Sequence, residues 1–324
     1  MKNEVNSPYF ISSYIDIFFL CSVSFLLLGV LYLFFNSSIN AQLSSTAYII
    51  SWVINWPHFS ATLYRLYSDK TQTKLFPVTA YVFPWIIVIL LVFGLLAPNG
   101  FGTVIVRLFM IWSPFHFSGQ SLGLILLYLQ RAQIVITSWE RRLIGFTCFS
   151  SFIYSFVSSN SSNSEKYFWG ITIPSYSFPS WFAQITLVWM IFCYIFFMFW
   201  FIIKKKKSQT FLPMIILMIP ITQAIYFCTT TDVNFNIFVP GLHSLQYLFL
   251  AYVLQGVSFN FRIHGKWIII NIIGGIVLFE GIPRFLGQGN IPLDISYALV
   301  LSLVQIHHFF VDGIIWKLPR QKLA

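Results

Sequence analysis

Six histidines occur in this chain of 324 residues, and five of them, His58, His116, His243, His307 and His308, lie inside long apolar runs. Ionisable groups in such surroundings are costly and usually mark function, and imidazole is the common ligand of iron, zinc and copper. The five histidines therefore point to an intramembrane metal site. Iron, zinc and copper are all open as the bound ion, and haem is a further option. A proton or substrate pathway and plain structural packing stay open as readings of the same residues. His264, between Arg262 and Lys266, reads as a loop residue.

Polar companions accompany the histidines at helical spacing. Gln120 follows His116 by four residues, Gln246 and Tyr247 follow His243 by three and four, Gln305 precedes His308 by three, and Asp312 follows it by four. Spacings of three and four share one helical face, and a ligating imidazole needs its second nitrogen held by an amide, carboxylate or carbonyl. Gln120, Gln246 and Gln305 are candidates for that holding role at the cofactor. Asp312 is a candidate for the site or, alternatively, an interfacial partner of Lys317. A proline stands just before three of the histidines, in Pro57-His58, Pro114-Phe115-His116 and Pro240-Gly241-Leu242-His243. Proline removes a backbone hydrogen bond, and broken helices are tolerated in membranes where they line a cavity or are buried in protein.

The elements that must carry these residues follow from composition. The chain is 57% apolar and 9% charged, with 37 Phe, 11 Trp and 16 Tyr, too little polar surface to coat a soluble domain. Lipid must act as solvent for most of it. About ten runs approach the roughly 20 residues that a spanning helix needs: 12–35, 46–67, 78–97, 101–130, 143–158, 181–203, 211–230, 236–257, 267–282 and 293–316. The expected fold is an all-α, polytopic transmembrane bundle forming a single integral membrane domain over 1–324, with 158–180 as an outer loop. Of the 19 Lys and Arg, 16 fall at the N-terminus or beside the inner ends of even-numbered runs, so both termini are predicted to be cytoplasmic. The same clustering explains the net charge of +10 without a nucleic-acid partner. All five histidines lie on even-numbered runs, which point the same way, at about 10 to 22 Å of depth. The endings Tyr64-Arg65, Leu129-Gln130-Arg131 and Trp316-Lys317 read as positive-inside helix ends rather than as an internal repeat. The sequence contains no GxxxxGK[ST], GxGxxG or HExxH motif, and its four cysteines are scattered singly, so nucleotide, zinc-protease and disulfide chemistry lack support.

The order Pro57-His58, then His116-Phe117 followed by a small residue, then Leu242-His243-Ser244 resembles the bacterial and archaeal β-carotene-cleaving membrane dioxygenases, the Brp/Blh family. The resemblance covers a few dozen residues. It implies a polytopic helical membrane protein whose histidines hold a non-haem iron(II) that activates dioxygen and splits a carotenoid to retinal. On that resemblance His58, His116 and His243 are three ligands. The family's fourth histidine is expected one turn after the third, where this chain has Tyr247. Either His307 or His308 supplies the missing nitrogen, or the chain carries out another reaction. Gln120, Gln246 and Asp312 would orient the ligands, and Tyr247 would line the substrate channel. The implied partners are membrane lipid and a long apolar substrate entering from it, in a pocket that excludes water. The rival reading is a transporter or channel with a histidine pathway, and a third is a non-catalytic subunit binding haem axially.

Overall fold

The computed structural model describes residues 7–24, 26, 48–68, 70–161, 166–207, 211–228, 238–253 and 261–315, with side chains from 265 onward in the last stretch. The two chain ends, most of the 12–35 run, the basic residues Lys2, Lys317, Arg320 and Lys322, and the side chain of His264 lie outside the described residues.

In chain order the elements are α1 (Ser13–Ile17), α2 (Trp56–Ser68), α3 (Lys70–Leu75), α4 (Phe83–Leu96), α5 (Thr103–Arg131), α6 (Ser138–Ser159), the strands β1 (Lys166–Phe168) and β2 (Ile171–Ile173), then α7 (Ser180–Lys207), α8 (Ile215–Cys228), α9 (Val239–Val253), α10 (Phe261–Ile276), α11 (Ile282–Leu286) and α12 (Leu293–Ile315). Wide π-helical turns join or extend several of them, at Phe18–Ser22, Ser51–Asn55, Val78–Val82, Pro98–Gly102 and Val277–Gly281. Helix prevails because an apolar segment in lipid must satisfy its backbone within itself. Among the described residues five segments are long and apolar enough to cross a membrane: Val78–Leu96, Pro98–Arg131, Ser180–Lys207, Gly265–Leu286 and Leu293–Ile315. The chain is therefore all-α in class, with the helices of an integral membrane protein.

Contacts group the chain into two compact units, one of 1–47, 115–163 and 176–254, the other of 48–114, 164–175 and 255–324. The boundary between them falls inside α5, between Pro114 and Phe115.

In the first unit, α6 and α7 pair antiparallel. Lys204 Nζ lies 2.8 Å from Glu140 at one end, Thr147 donates to the Cys193 carbonyl in the middle, and Phe178 N–H donates to the Asn160 carbonyl at the other end. Glu140 also closes a capping box with Thr137, which satisfies two backbone donors at the start of α6. α8 packs against α6, and the amide of Gln223 donates to Ser118 at 3.0 Å, to Ser151 at 3.1 Å and to the Cys148 carbonyl. The segment before α1 is tied to the end of α5: buried Asp16 accepts from Phe10 and Ile11 N–H and from the Tyr128 hydroxyl, while Arg131 donates to the Pro8 and Tyr9 carbonyls.

In the second unit, α2 packs closely on α10 because Gly275 has no side chain: a Cβ there would sit 2.7 Å from the Trp56 carbonyl carbon. Small residues at a helix crossing let backbones approach in this way. Part of the expected outer loop is ordered as a hairpin, Phe168 paired with Ile171, whose turn residues Trp169 and Gly170 both have positive φ, as a type I′ turn requires. The hairpin joins α4, the start of α5 and α12 in one apolar core of Ile105, Val106, Ile171, Leu299 and Leu303. α12 also packs on α2.

Candidate metal centre

The second unit brings His58 and His308 together. Their ring centroids are 4.3 Å apart at an interplanar angle of 70°, and each offers a nitrogen within 4.8 Å of the other's. His58 reaches this place because the backbone is reshaped just before it. Trp56 N–H bonds to the Ser51 carbonyl across a π turn, so Pro57, which has no N–H to give, begins an ordinary helix in its first turn. His308 comes from the middle of α12, the most deeply buried of the long helices.

Each histidine has a polar partner one turn further along its own helix. Thr62 follows His58 and donates from Oγ1 to Asp312 Oδ1 at 3.1 Å. Asp312 follows His308, and its Oδ2 lies 3.4 Å from His308 Nε2. Relative exposure is 1% for His58, 0% for Thr62, 2% for His308 and 6% for Asp312. A carboxylate so buried must be hydrogen-bonded or paired, and it is, by groups from two helices. The 3.4 Å contact is longer than a charge-assisted hydrogen bond of about 2.7–2.9 Å, so the carboxylate stands close to the ring without clamping it. Apolar side chains close the surroundings: Phe59 lies edge-on to the His308 ring at 4.8 Å and packs with Trp56 and Phe279.

Of the adjacent pair on α12, only His308 meets His58. His307, about 100° further round the helix, stacks on Phe83 at 5.4 Å. Gln305 is buried, and among the described residues no hydrogen bond joins it to an imidazole. Asp312 is buried against Thr62 and His308, and Lys317, its other candidate partner, lies outside the described residues.

The first unit holds the other two histidines. His116 of α5 and His243 of α9 have ring centroids 5.2 Å apart at 77°, with Phe117 against His243 at 4.0 Å. Among the described residues, Gln120 has no hydrogen bond to the ring of His116 or His243. Its Nε2 donates to the His243 main-chain carbonyl at 3.3 Å and toward Gln246 Oε1 at 3.4 Å. Gln246 in turn donates to the Leu20 carbonyl at 2.6 Å, within the π turn Phe18–Ser22, where a widened turn redirects backbone carbonyls. Tyr247 is buried on the same helix. The prolines play different parts: Pro240 occupies the first turn of α9, where no helix break is needed, and Pro114 sits inside a continuous α5.

The sequence reading misses four features. Thr62 carries its signal in the same four-residue spacing that revealed Asp312. Asp16 and Glu280 are buried carboxylates, the latter accepting from Tyr297 at 2.5 Å and Arg284 at 2.7 Å and from Tyr48. Gly119-Gln120-Ser121-Leu122-Gly123 has the G-x-S-x-G spacing of a hydrolase nucleophile. It lies within helix α5 rather than at a strand-to-helix elbow, so the strained turn that exposes such a serine is absent.

No family model, no curated protein and no solved structure matches the chain.

Proposed function

We propose that the chain is a multi-pass membrane protein of about ten spans with both termini cytoplasmic, and that it is an intramembrane, histidine-ligated non-haem iron enzyme. Its reaction is an oxygen-dependent oxidation or cleavage of a long apolar lipid or carotenoid-like substrate. The topology rests on the apolar runs and on the distribution of Lys and Arg. The observation that carries the function is the buried group His58, His308, Asp312 and Thr62 on α2 and α12.

Two imidazoles bound to one ion have their nitrogens no more than about 4.2 Å apart, and His58 and His308 each offer a nitrogen within 4.8 Å of the other's. Asp312 lies where it orients His308 and offsets part of the charge of a cation. Iron bound there supplies the redox chemistry that activates dioxygen. The protein's own part is to hold the rings, exclude water with Phe59, Trp56 and Phe279, and admit a substrate soluble in lipid. His116 and His243 are further candidate imidazole ligands, in ring contact with one another, and Tyr247 on the helix of His243 is the candidate for contact with substrate.

Elemental analysis of the full chain purified in neutral detergent tests this reading. Wild type is expected to carry a transition metal in stoichiometric amount. His58→Ala and His308→Ala lose it, and His307→Ala, which alters the ring on Phe83, retains it. Metal-free wild-type protein would overturn the reading. The contact between His308 and Asp312 also favours a second reading, a proton pathway. Metal-free protein that acidifies liposomes, with transport abolished by Asp312→Asn, would establish that alternative.

A further inference from the structure

Away from the histidines, a groove of about 340 Å³ runs along α7 where it meets α8. Met190, Tyr194, Met198 and Ile202 line it from α7 and Ala224 from α8. It follows the helix for about 18 Å from Met190 to Ile202, a length suited to one extended acyl chain. Its lining is apolar except for the Tyr194 hydroxyl, which is turned inward to donate to the Pro220 carbonyl at 2.9 Å.

The charge at one end of the groove decides what occupies it. The stripe Ile191, Ile195, Met198, Ile202 repeats every three or four residues, and its next positions are Lys205 and Lys206. Both are exposed. Lys204 differs, since its ammonium is held by Glu140 at 2.8 Å and the Val135 carbonyl at 3.0 Å. An apolar channel one acyl chain long, ending at two exposed ammonium groups on the same helical face, matches the two ends of an anionic phospholipid. We infer that this face of α7 is a binding site for an anionic membrane phospholipid, with an acyl chain in the groove and the phosphate on Lys205 and Lys206. The site is independent of the histidine chemistry.

The test uses the full chain in nanodiscs containing equal amounts of phosphatidylglycerol and phosphatidylcholine, followed by transfer to neutral detergent and mass spectrometry of the retained lipid. Wild type is expected to retain phosphatidylglycerol in preference. Juxtamembrane lysines contribute roughly fivefold each toward anionic lipid, so Lys205→Gln with Lys206→Gln removes a preference of about twentyfold or more. Ala224→Phe fills the groove and lowers total retained lipid, with the helical circular dichroism of the wild type. Equal retention of the two lipids by wild type, or an unchanged preference in the double lysine variant, overturns the site. So does unchanged retention in a folded Ala224→Phe protein. If that variant misfolds, Ile195→Trp on the exposed face of α7 serves as the groove-blocking substitution, read in the same way.

Discussion

Asp312 Oδ2 lies 3.4 Å from His308 Nε2, one turn along α12, while its other oxygen accepts a hydrogen bond from Thr62 of α2. Two helices distant in sequence thus share one buried carboxylate, and the imidazole it faces lies against His58.

If Asp312 orients His308 for a metal, Asp312→Asn keeps the shape and removes the charge. Loss of such an orienting partner typically costs 10–100-fold in metal affinity. Competition with a graded series of chelators is expected to show a drop of that size, and an unchanged affinity would detach Asp312 from the metal.

Thr62→Val removes one donor from the same carboxylate without altering side-chain volume much. A hydrogen bond to a charged group contributes about 1.5–3 kcal/mol, so the variant is expected to melt at lower temperature in detergent, with Thr62→Ser close to wild type. Equal stability of all three proteins would show that the bond carries no weight.

Two glycines should respond with opposite sign to the same substitution. At Gly275 a Cβ would meet the Trp56 carbonyl carbon at 2.7 Å and the Pro57 nitrogen at 2.9 Å, backbone atoms that move only if α2 moves. Overpacking of that kind costs about 1–3 kcal/mol, so Gly275→Ala is expected to destabilise the fold and to weaken metal retention through His58. At Gly119 nothing lies within 4 Å, and Gly119→Ala gains up to about 1 kcal/mol of helix propensity. Thermal melts of the two variants side by side check this.

The Glu140 carboxyl lies outside the spans. Burial pushes its pKa up, but Lys204, the Thr137 N–H and Trp200 outweigh that and hold it below its ordinary value of 4.5. A carboxyl whose folded pKa is depressed contributes stability that is present above the unfolded pKa and lost as pH falls through the folded one. Stability is therefore expected to fall as pH drops below about 4.5, with a shallower decline in Glu140→Gln. Parallel acid titrations of the two proteins followed by circular dichroism check this, and superimposable curves would contradict it.

Much of the helical layout is legible in the sequence because lipid imposes one rule on every apolar run. The run expected at 293–316 is α12, that at 181–203 is α7, and that at 143–158 lies within α6. The segment 158–180, expected as an outer loop, is legible only as a break in hydropathy. Its hairpin depends on Trp169 and Gly170 adopting positive φ, and on Ile171 and Ile173 finding the core of α4 and α12. The candidate site divides in the same way. Spacing pairs His308 with Asp312 on one helical face, since that depends only on the pitch of the helix. It does not choose between His307 and His308, because that choice depends on whether Phe83 or His58 faces each side of α12.

By itself the sequence determined the solvent this protein requires, the helical class that follows from it, and the residue types available for chemistry, all consequences of composition and short-range spacing. Tertiary structure alone decided which side chains meet. Thr62 reaches Asp312 across 250 positions of chain, and Gly275 admits Trp56 to backbone contact. Such encounters depend on helix rotation and approach, which are set by the packing of surfaces far apart in the chain and leave no periodic trace in either segment.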